Sequence, residues 1–340
     1  DGNVVDTWKS VKGEEHLIER LTAGETYTLR EEMAPYGYLM AEEVSFTVDD
    51  TAEIQKVEMK DAVPTGTLII NKKGEFLEKV SALDSIGGWM KHLFEYLSGS
   101  LKEVTFEVYA LEDIKAADGE SEDYYKKDAL VATITTDETG VAKLTDLPLG
   151  KYYVKEIATD EHYILSDTKY PVVFEYAGQD TATVEIKVND GKEIKNELIY
   201  GSVSGKKIDE NGEALEGAVI GIFKAEETEF TKDTALMTTT SAKDGSFSFA
   251  KVPYGKWIVR EIEQPEGFVL DEKAYEVNIS KAEQVVEIEI VNEYVHGNIR
   301  LTKVDAEYPD NKLTGATFEV YKDTNENGKI DDGDELIGKS

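Results

Sequence analysis

The feature that most constrains this chain is a repeat whose copies meet through a joint of constant length. Three segments align from a shared glycine: Gly66-Thr-Leu-Ile-Ile-Asn-Lys72, Gly201-Ser-Val-Ser-Gly-Lys-Lys207 and Gly297-Asn-Ile-Arg-Leu-Thr-Lys303. A second motif recurs as Thr26-Tyr-Thr-Leu-Arg-Glu31, Tyr152-Tyr-Val-Lys-Glu156 and Lys256-Trp-Ile-Val-Arg-Glu261. A third recurs as Val57-Glu-Met-Lys-Asp61, Glu193-Ile-Lys-Asn196 and Ile288-Glu-Ile-Val-Asn292. Asp61, Asn196 and Asn292 each stand five residues before the next glycine. Such a chain folds as similar modules in succession, each with its own core.

Within a module, short runs rich in Val, Ile, Thr and Tyr are punctuated by turn signals such as Asn211-Gly212, Asp244-Gly245, Leu149-Gly150 and Tyr254-Gly255. Ala242-Lys-Asp-Gly-Ser-Phe-Ser-Phe249 reads as a hairpin. The pattern predicts an all-β protein of tandem small Ig-like β-sandwich domains. Residues 1–63 form a partial sandwich without its first strand, 64–200 and 201–296 two whole ones, and 297–340 the first strands of another. The second module is the longest. Its extra sequence around 80–100 carries Leu83, Ile86, Met90, Leu93 and Leu97 at alternating steps of three and four, which predicts a helical insert. Trp89, Phe94 and Tyr96 widen that face, and Gly87-Gly88 interrupts it. The insert reads as a cover for an open end of the sandwich, or as a site for a ligand or partner.

Composition excludes several functions. The chain has 37 basic and 70 acidic residues in 340, a formal charge of −33, and no Lys/Arg-rich run with which to meet nucleic acid or an anionic membrane. At 40% apolar residues it is too hydrophobic for a disordered acidic tail. With no cysteine, disulfides, a zinc ribbon and a thiol nucleophile are all unavailable. No apolar run reaches the length of a membrane span. No signal peptide is evident at Asp1-Gly2-Asn3, and the chain reads as a fragment or mature segment.

Side chains alternate between the faces of a strand, so the company of each recurring polar residue is legible two positions away. Lys72 follows Leu68 and Ile70, Lys207 follows Val203 and Gly205, and Lys303 follows Ile299 and Leu301. Glu31, Glu156 and Glu261 follow Tyr27 and Leu29, Tyr152 and Val154, and Trp257 and Val259. Asp61, Asn196 and Asn292 likewise share a face with Val57 and Met59, Ile194, and Ile288 and Ile290. All are therefore expected to face inward. Any one of them alone reads as a strand end running out into water. A lysine, a carboxylic acid and an amide that each recur on the apolar face need a chemical reason, because an isolated buried charge costs several kcal/mol. One reason is covalent. Burial favours a neutral amine and a protonated acid. The amine then attacks the side-chain carbonyl of Asn or Asp while the Glu polarises it and carries protons to the departing ammonia or water. The product is an intramolecular isopeptide bond, formed once per module without turnover.

The order of these motifs resembles the collagen-adhesin B-type, or SpaA-like pilin, domain of Gram-positive surface proteins. Glu31, Pro35, Gly37 and Tyr38, and again Glu261, Pro265, Gly267 and Phe268, match the family's Glu-x-x-x-Pro-x-Gly-aromatic pattern. The second module departs from it, with Asp160 and His162 at the proline and glycine positions and Tyr163 retained. The resemblance implies transthyretin-like sandwiches that build the stalks of adhesins and pili, on the outer surface of a Gram-positive cell wall. It implies Lys72–Asn196 and Lys207–Asn292 cross-links with Glu156 and Glu261 as the catalytic acids. The first module keeps Glu31 and Asp61 without a lysine, and the last keeps only Lys303, so neither completes a bond of its own within this chain. Joining Lys303 of one molecule to Asp61 of another is a lesser hypothesis, to be tested by a covalent dimer on a denaturing gel. The implied partners are sortase and other pilus subunits. The alternative function is an adhesin module that engages a host or matrix protein or carbohydrate through the insert.

Asp323-Thr-Asn-Glu-Asn-Gly-Lys-Ile-Asp-Asp-Gly-Asp334 fits a calcium loop, with Asp323, Asn325, Asn327, Asp331 and Asp334 as oxygen ligands, Gly328 at the sixth place and Lys329 completing the set. Its strand-like flanks fit an acidic hairpin turn as well. No other cofactor is implied. His16, His92, His162 and His296 lie at no ligand spacing, and no Gly-x-Ser-x-Gly elbow or Walker loop is present. Val63-Pro64-Thr65-Gly66 lacks a residue of a sortase signal and reads as linker.

Overall fold

The computed structural model describes residues 3–83 and 91–339. It comprises two compact units, one of Asp1–Glu266 and Leu270–Asn292, the other of Gly267–Val269 and Glu293–Ser340. The chain is all-β, and among the described residues the only helical element is a single 3-10 turn at Asn189–Gly191.

The first unit opens with an antiparallel pair, β1 (Thr26–Leu29) and β2 (Val44–Thr47), in which Tyr27 faces Phe46. Val57–Asp61, expected as a closing strand, has no strand partner. In the complete repeats the closing strand pairs with the glycine-to-lysine strand, and residues 3–63 contain no such strand. The segment is tied to the second repeat by Met40 N–H to Gln179 O at 3.1 Å and Tyr176 OH to Tyr38 O at 2.8 Å.

Next come β3 (Thr65–Leu83), β4 (Lys91–Ser100), β5 (Thr105–Ala110), β6 (Leu130–Thr135), β7 (Val141–Pro148), β8 (Gly150–Ala158), β9 (Lys169–Phe174), β10 (Thr183–Lys187) and β11 (Ile194–Asn196). One sheet has the order β6-β5-β8-β9; in the other β3 pairs with β7, β10 and β11. Between them lies a core that includes Leu68, Ile70, Phe106, Val108, Tyr152 and Val154, all fully buried. The same plan returns in β12 (Tyr200–Asp209), β13 (Val219–Lys224), β14 (Met237–Thr240), β15 (Ser246–Pro253), β16 (Gly255–Glu263), β17 (Tyr275–Ile279) and β18 (Val285–Asn292). Its sheets are β14-β13-β16-β17 and β15-β12-β18, and its core includes Val203, Ile220, Ile222, Phe249 and Val259. Both repeats change sheets at a proline. Tyr152 OH donates to Pro148 O at 2.6 Å and Trp257 Nε1–H to Pro253 O at 2.8 Å, so each aromatic ring enters the core with its polar tip satisfied.

Three further expectations are corrected. The insert is a β-hairpin: β3 runs on past the sandwich and pairs with β4 from Lys73 opposite Ser100 to Leu83 opposite Lys91, with a bulge between Leu77 and Lys79. A short apolar run satisfies both periodicities, and continuing an existing strand gives the backbone a ladder partner that a separate helix would have to form anew. Leu97 is half exposed, and Ile86, Gly87, Gly88, Trp89 and Met90 lie outside the described residues. Second, Ala242–Phe249 is not a hairpin: Ala242–Gly245 turn the chain from β14 into β15, which begins at Ser246 and belongs to a different sheet. Third, Gly297–Lys303 forms no strand, Ile299 is 84% exposed and Lys303 faces solvent. Residues 304–339 supply none of the strands that flank this motif in the complete repeats. Among its described residues the second unit has one antiparallel strand pair, β19 (Glu319–Lys322) with β20 (Glu335–Lys339).

The hairpin meets the third repeat. Tyr96 stacks edge-on against Tyr200 with centroids 5.0 Å apart, and Tyr200 OH donates to Glu75 Oε2 at 2.6 Å. On the same joint His162 packs edge-on against Tyr254 at 4.6 Å.

Candidate functional site

Register places the reactive groups. In β3, Lys72 stands opposite Ile194 and Gly74 opposite Asn196, on parallel strands. In β12, Lys207 stands opposite Ile290 and Asp209 opposite Asn292, also parallel. Lysine and amide are thus diagonal neighbours on one face, two residues apart in register. From the opposite sheet β8 and β16 bring Glu156, paired with Phe106, and Glu261, paired with Ile220. Each lysine is further fixed by a glycine of the turn that leads into its sheet neighbour, β7 or β15. Lys72 N–H donates to Gly140 O at 2.7 Å and Lys207 N–H to Gly245 O at 2.8 Å. Both glycines have positive φ (76° and 73°), and a Cβ on either would collide with the carbonyl oxygen of the lysine it holds.

The two clusters are enclosed: Lys72, Glu156, Asn196, Lys207, Glu261 and Asn292 are at most 2% exposed. In the second repeat Lys72 Nζ donates to Asn196 Oδ1 at 2.5 Å and to Glu156 Oε2 at 2.7 Å, and Asn196 Nδ2 donates to Glu156 Oε1. Asn196 Nδ2 also donates to Thr159 Oγ1 at 3.1 Å. In the third repeat Lys207 Nζ donates to Asn292 Oδ1 at 2.5 Å and to Ile290 O at 3.2 Å, while Glu261 Oε1 is 3.7 Å away. Asn292 Nδ2 donates to Glu261 Oε1 at 3.0 Å, and the other carboxylate oxygen, Oε2, accepts the Asp271 N–H at 2.9 Å. Burial pushes both lysines below the usual ammonium range, against the pull of their glutamates. Burial likewise pushes Glu261 up, opposed chiefly by the Asp271 N–H and the Lys207 charge. Burial thus shifts each amine toward its neutral form beside an amide carbonyl, with a carboxyl group that bonds both partners in the second repeat and the amide alone in the third.

The other candidate residues stand differently. In the first segment Glu31 Oε2 accepts the Ala41 N–H at 2.7 Å, ten residues on, as Glu261 does from Asp271. Asp61 lies against Glu31, and burial, then the Glu31 charge, raises its pKa. No lysine joins this half-buried pair among the described residues, and Lys303 meets neither Glu nor Asn in its own unit. In the acidic loop the polar groups satisfy one another. Asn325 and Asn327 Nδ2 donate to Asp331 Oδ2 at 2.9 and 2.7 Å, Gly328 N–H to Asp323 Oδ2 at 2.7 Å, and Thr324 N–H to Asp334 Oδ1 at 3.1 Å. The backbone N–H of Lys329 closes on Asn327 Oδ1 at 2.8 Å. Among the described residues no three His, Asp or Glu side chains converge to hold a metal ion. Sequence reasoning missed Thr159 and the backbone anchor at Asp271, since neither lies on the alternating face of a strand.

Fold and cluster together define a class: tandem prealbumin-like β-sandwiches with Lys, Glu and Asn enclosed between the sheets. The family model of the SpaA prealbumin-like fold domain matches residues 1–63, 97–192 and 201–294, and the chain belongs to that family. Among solved structures it is similar to the TIE protein of Bacillus anthracis, with a TM-score of 0.54 and 20% identity over 79% of this chain and 41% of that one. The chain thus spans less than half the length of that protein. It also matches the minor pilin of Streptococcus agalactiae (16% identity, 70% of this chain, 100% of that one, TM-score 0.29). The shaft pilin SpaA of Lactobacillus rhamnosus GG matches at 16% identity over 69% of this chain and 100% of that one, TM-score 0.25. At 20% identity the likeness to the TIE protein is one of fold. No curated protein matches the sequence. Among the described residues no helix is long and apolar enough to cross a membrane.

Proposed function

We propose that this chain is a structural segment of an extracellular, cell-wall-attached stalk or pilus of a Gram-positive bacterium, whose second and third repeats seal themselves with Lys72–Asn196 and Lys207–Asn292 isopeptide bonds. The neutral amine adds to the Asn Cγ; the Nζ–Cγ bond forms, the Cγ–Nδ2 bond breaks, and the glutamate carries one proton from Nζ to the nitrogen that leaves as ammonia. Enclosure keeps the groups in contact and excludes competing water. Each bond ties the first strand of a sandwich to its last, so tension between the ends of a repeat is borne by a covalent link instead of by a ladder. The division at 64–200 and 201–296 gives one bond per repeat and no turnover enzyme. The reading associates the chain with other pilus subunits, in keeping with its family.

The observation that carries the reading is the contact of each fully buried lysine Nζ with an amide oxygen at 2.5 Å, beside a buried carboxyl. The test is the intact mass of the denatured chain. It is expected to lie two ammonia masses below the sequence mass, and one below in either Glu156→Ala or Glu261→Ala after correction for the substitution. A mass equal to the sequence would overturn it.

A further inference from the structure

The two clusters differ in what holds the amide, and the difference falls on a residue outside the recurring triad. In the third repeat the Glu261 carboxylate is anchored by the Asp271 N–H and stands 3.7 Å from Lys207. In the second repeat Glu156 is drawn to Lys72 at 2.7 Å, and Asn196 Nδ2 divides its hydrogens between Glu156 Oε1 and Thr159 Oγ1. The corresponding positions of the other repeats, three residues beyond the glutamate, are Ala34 and Gln264. Thr159 is held there by the loop that leaves β8. Ile164 N–H donates to Glu197 O at 2.9 Å and Ile199 N–H to His162 O at 2.7 Å, binding that loop to the chain immediately after Asn196.

We propose that Thr159 is a catalytic residue of the second repeat, its hydroxyl holding the departing nitrogen of Asn196 throughout the reaction; this rests on the isopeptide reading above. A hydroxyl both accepts and donates. While Asn196 is a planar amide, Nδ2 has hydrogens to give and no free lone pair, and Thr159 Oγ1 accepts. Once Lys72 Nζ has added to Cγ, Nδ2 becomes pyramidal and basic, and the Thr159 O–H donates to it. Glu156 still carries the one proton that moves from Nζ to Nδ2. Ammonia leaves and Thr159 is unchanged. In the starting amide the same contact fixes the carboxamide rotamer, keeping Oδ1 toward the amine.

The full chain carries its own control, because among the described residues the amide nitrogen of Asn292 bonds to Glu261 and to no hydroxyl. The chain is synthesised in a cell-free system and quenched in denaturant at intervals, and the two cross-linked peptides are quantified by mass after digestion. Thr159→Val and Thr159→Ala are each expected to slow the Lys72–Asn196 bond about tenfold, the effect of one lost hydrogen bond at a reacting atom. Thr159→Ser should restore it, with the timing of Lys207–Asn292 unchanged in every variant. Wild-type timing in either the valine or the alanine variant, or a serine variant as slow as valine, would overturn the proposal while leaving the cross-linking reading intact. No ammonia loss at either site in the unaltered chain would instead remove the reading on which it rests.

Discussion

Lys207 and Asn292 sit on adjacent parallel strands two register positions apart, and Lys72 and Asn196 repeat that offset in another sandwich. The offset puts amine and amide oxygen in contact at 2.5 Å in both without distorting either ladder. Both pairs are parallel. The first and last strands of the sandwich run side by side in the same direction, so a link between them spans the whole sequence of the repeat.

Removing a glutamate is expected to do more than prevent a bond. Glu156→Ala leaves the Lys72 amine enclosed with no carboxyl partner, and breaking a buried pair from one side costs about 3–5 kcal/mol. Denaturant unfolding of this variant should show an early transition for the second repeat and a retained late one for the third. A single unaltered transition would contradict it.

Stability of an unlinked third repeat should depend on pH with a sign set by its two shifted groups. In Asn292→Ala, the Glu261 pKa remains raised from 4.5 and the Lys207 pKa lowered from 10.5, because burial is the largest cause of both. Above pH 4.5 and up to the raised value, the folded state keeps a proton that the unfolded chain has released, and stability falls as pH climbs. Between the lowered lysine value and pH 10.5 the unfolded chain holds the extra proton, and stability rises with pH. The opposite slopes leave the minimum at intermediate pH. The linked protein should lack the alkaline rise, since Lys207 is then an amide. Denaturant midpoints over a pH series check both curves.

Gly140→Ala and Gly245→Ala should each weaken one repeat and delay its bond. Both glycines occupy the left-handed region, and an added Cβ meets the carbonyl oxygen of Lys72 or Lys207. The expected cost is roughly 1–3 kcal/mol each, read as a lowered melting temperature, with the cross-linked fraction falling in the altered repeat only.

Tyr200→Phe should loosen the joint between the two complete repeats. It removes the hydrogen bond to the Glu75 carboxylate while keeping the ring against Tyr96. A hydrogen bond to a charged group contributes about 1.5–3 kcal/mol. Limited proteolysis between Asn196 and Gly201 should be faster in the variant, with each sandwich otherwise as resistant as before.

The alternation of side chains makes much of the site legible. Leu68, Ile70 and Lys72, or Trp257, Val259 and Glu261, are spaced two apart, and a strand places such residues on one face whatever the rest of the chain does. Glu31 and Asp61 obey the same rule and stay half-buried, because their segment lacks the strand that would cover them. The stretch around 80–100 departs from its pattern for a related reason: its spacing suits a helix, yet β3 already supplies an open ladder for it to join.

The sequence by itself determined that the chain is a run of all-β modules and that lysine, glutamate and asparagine turn inward in two of them, since both follow from local periodicity and repetition. Tertiary structure alone decided that first and last strands are parallel neighbours, that the insert is a hairpin braced on the next repeat, and that Thr159 and the Asp271 N–H reach the clusters. These depend on which strands and loops meet across the sandwich, and contacts between distant parts of a chain leave no period in its sequence.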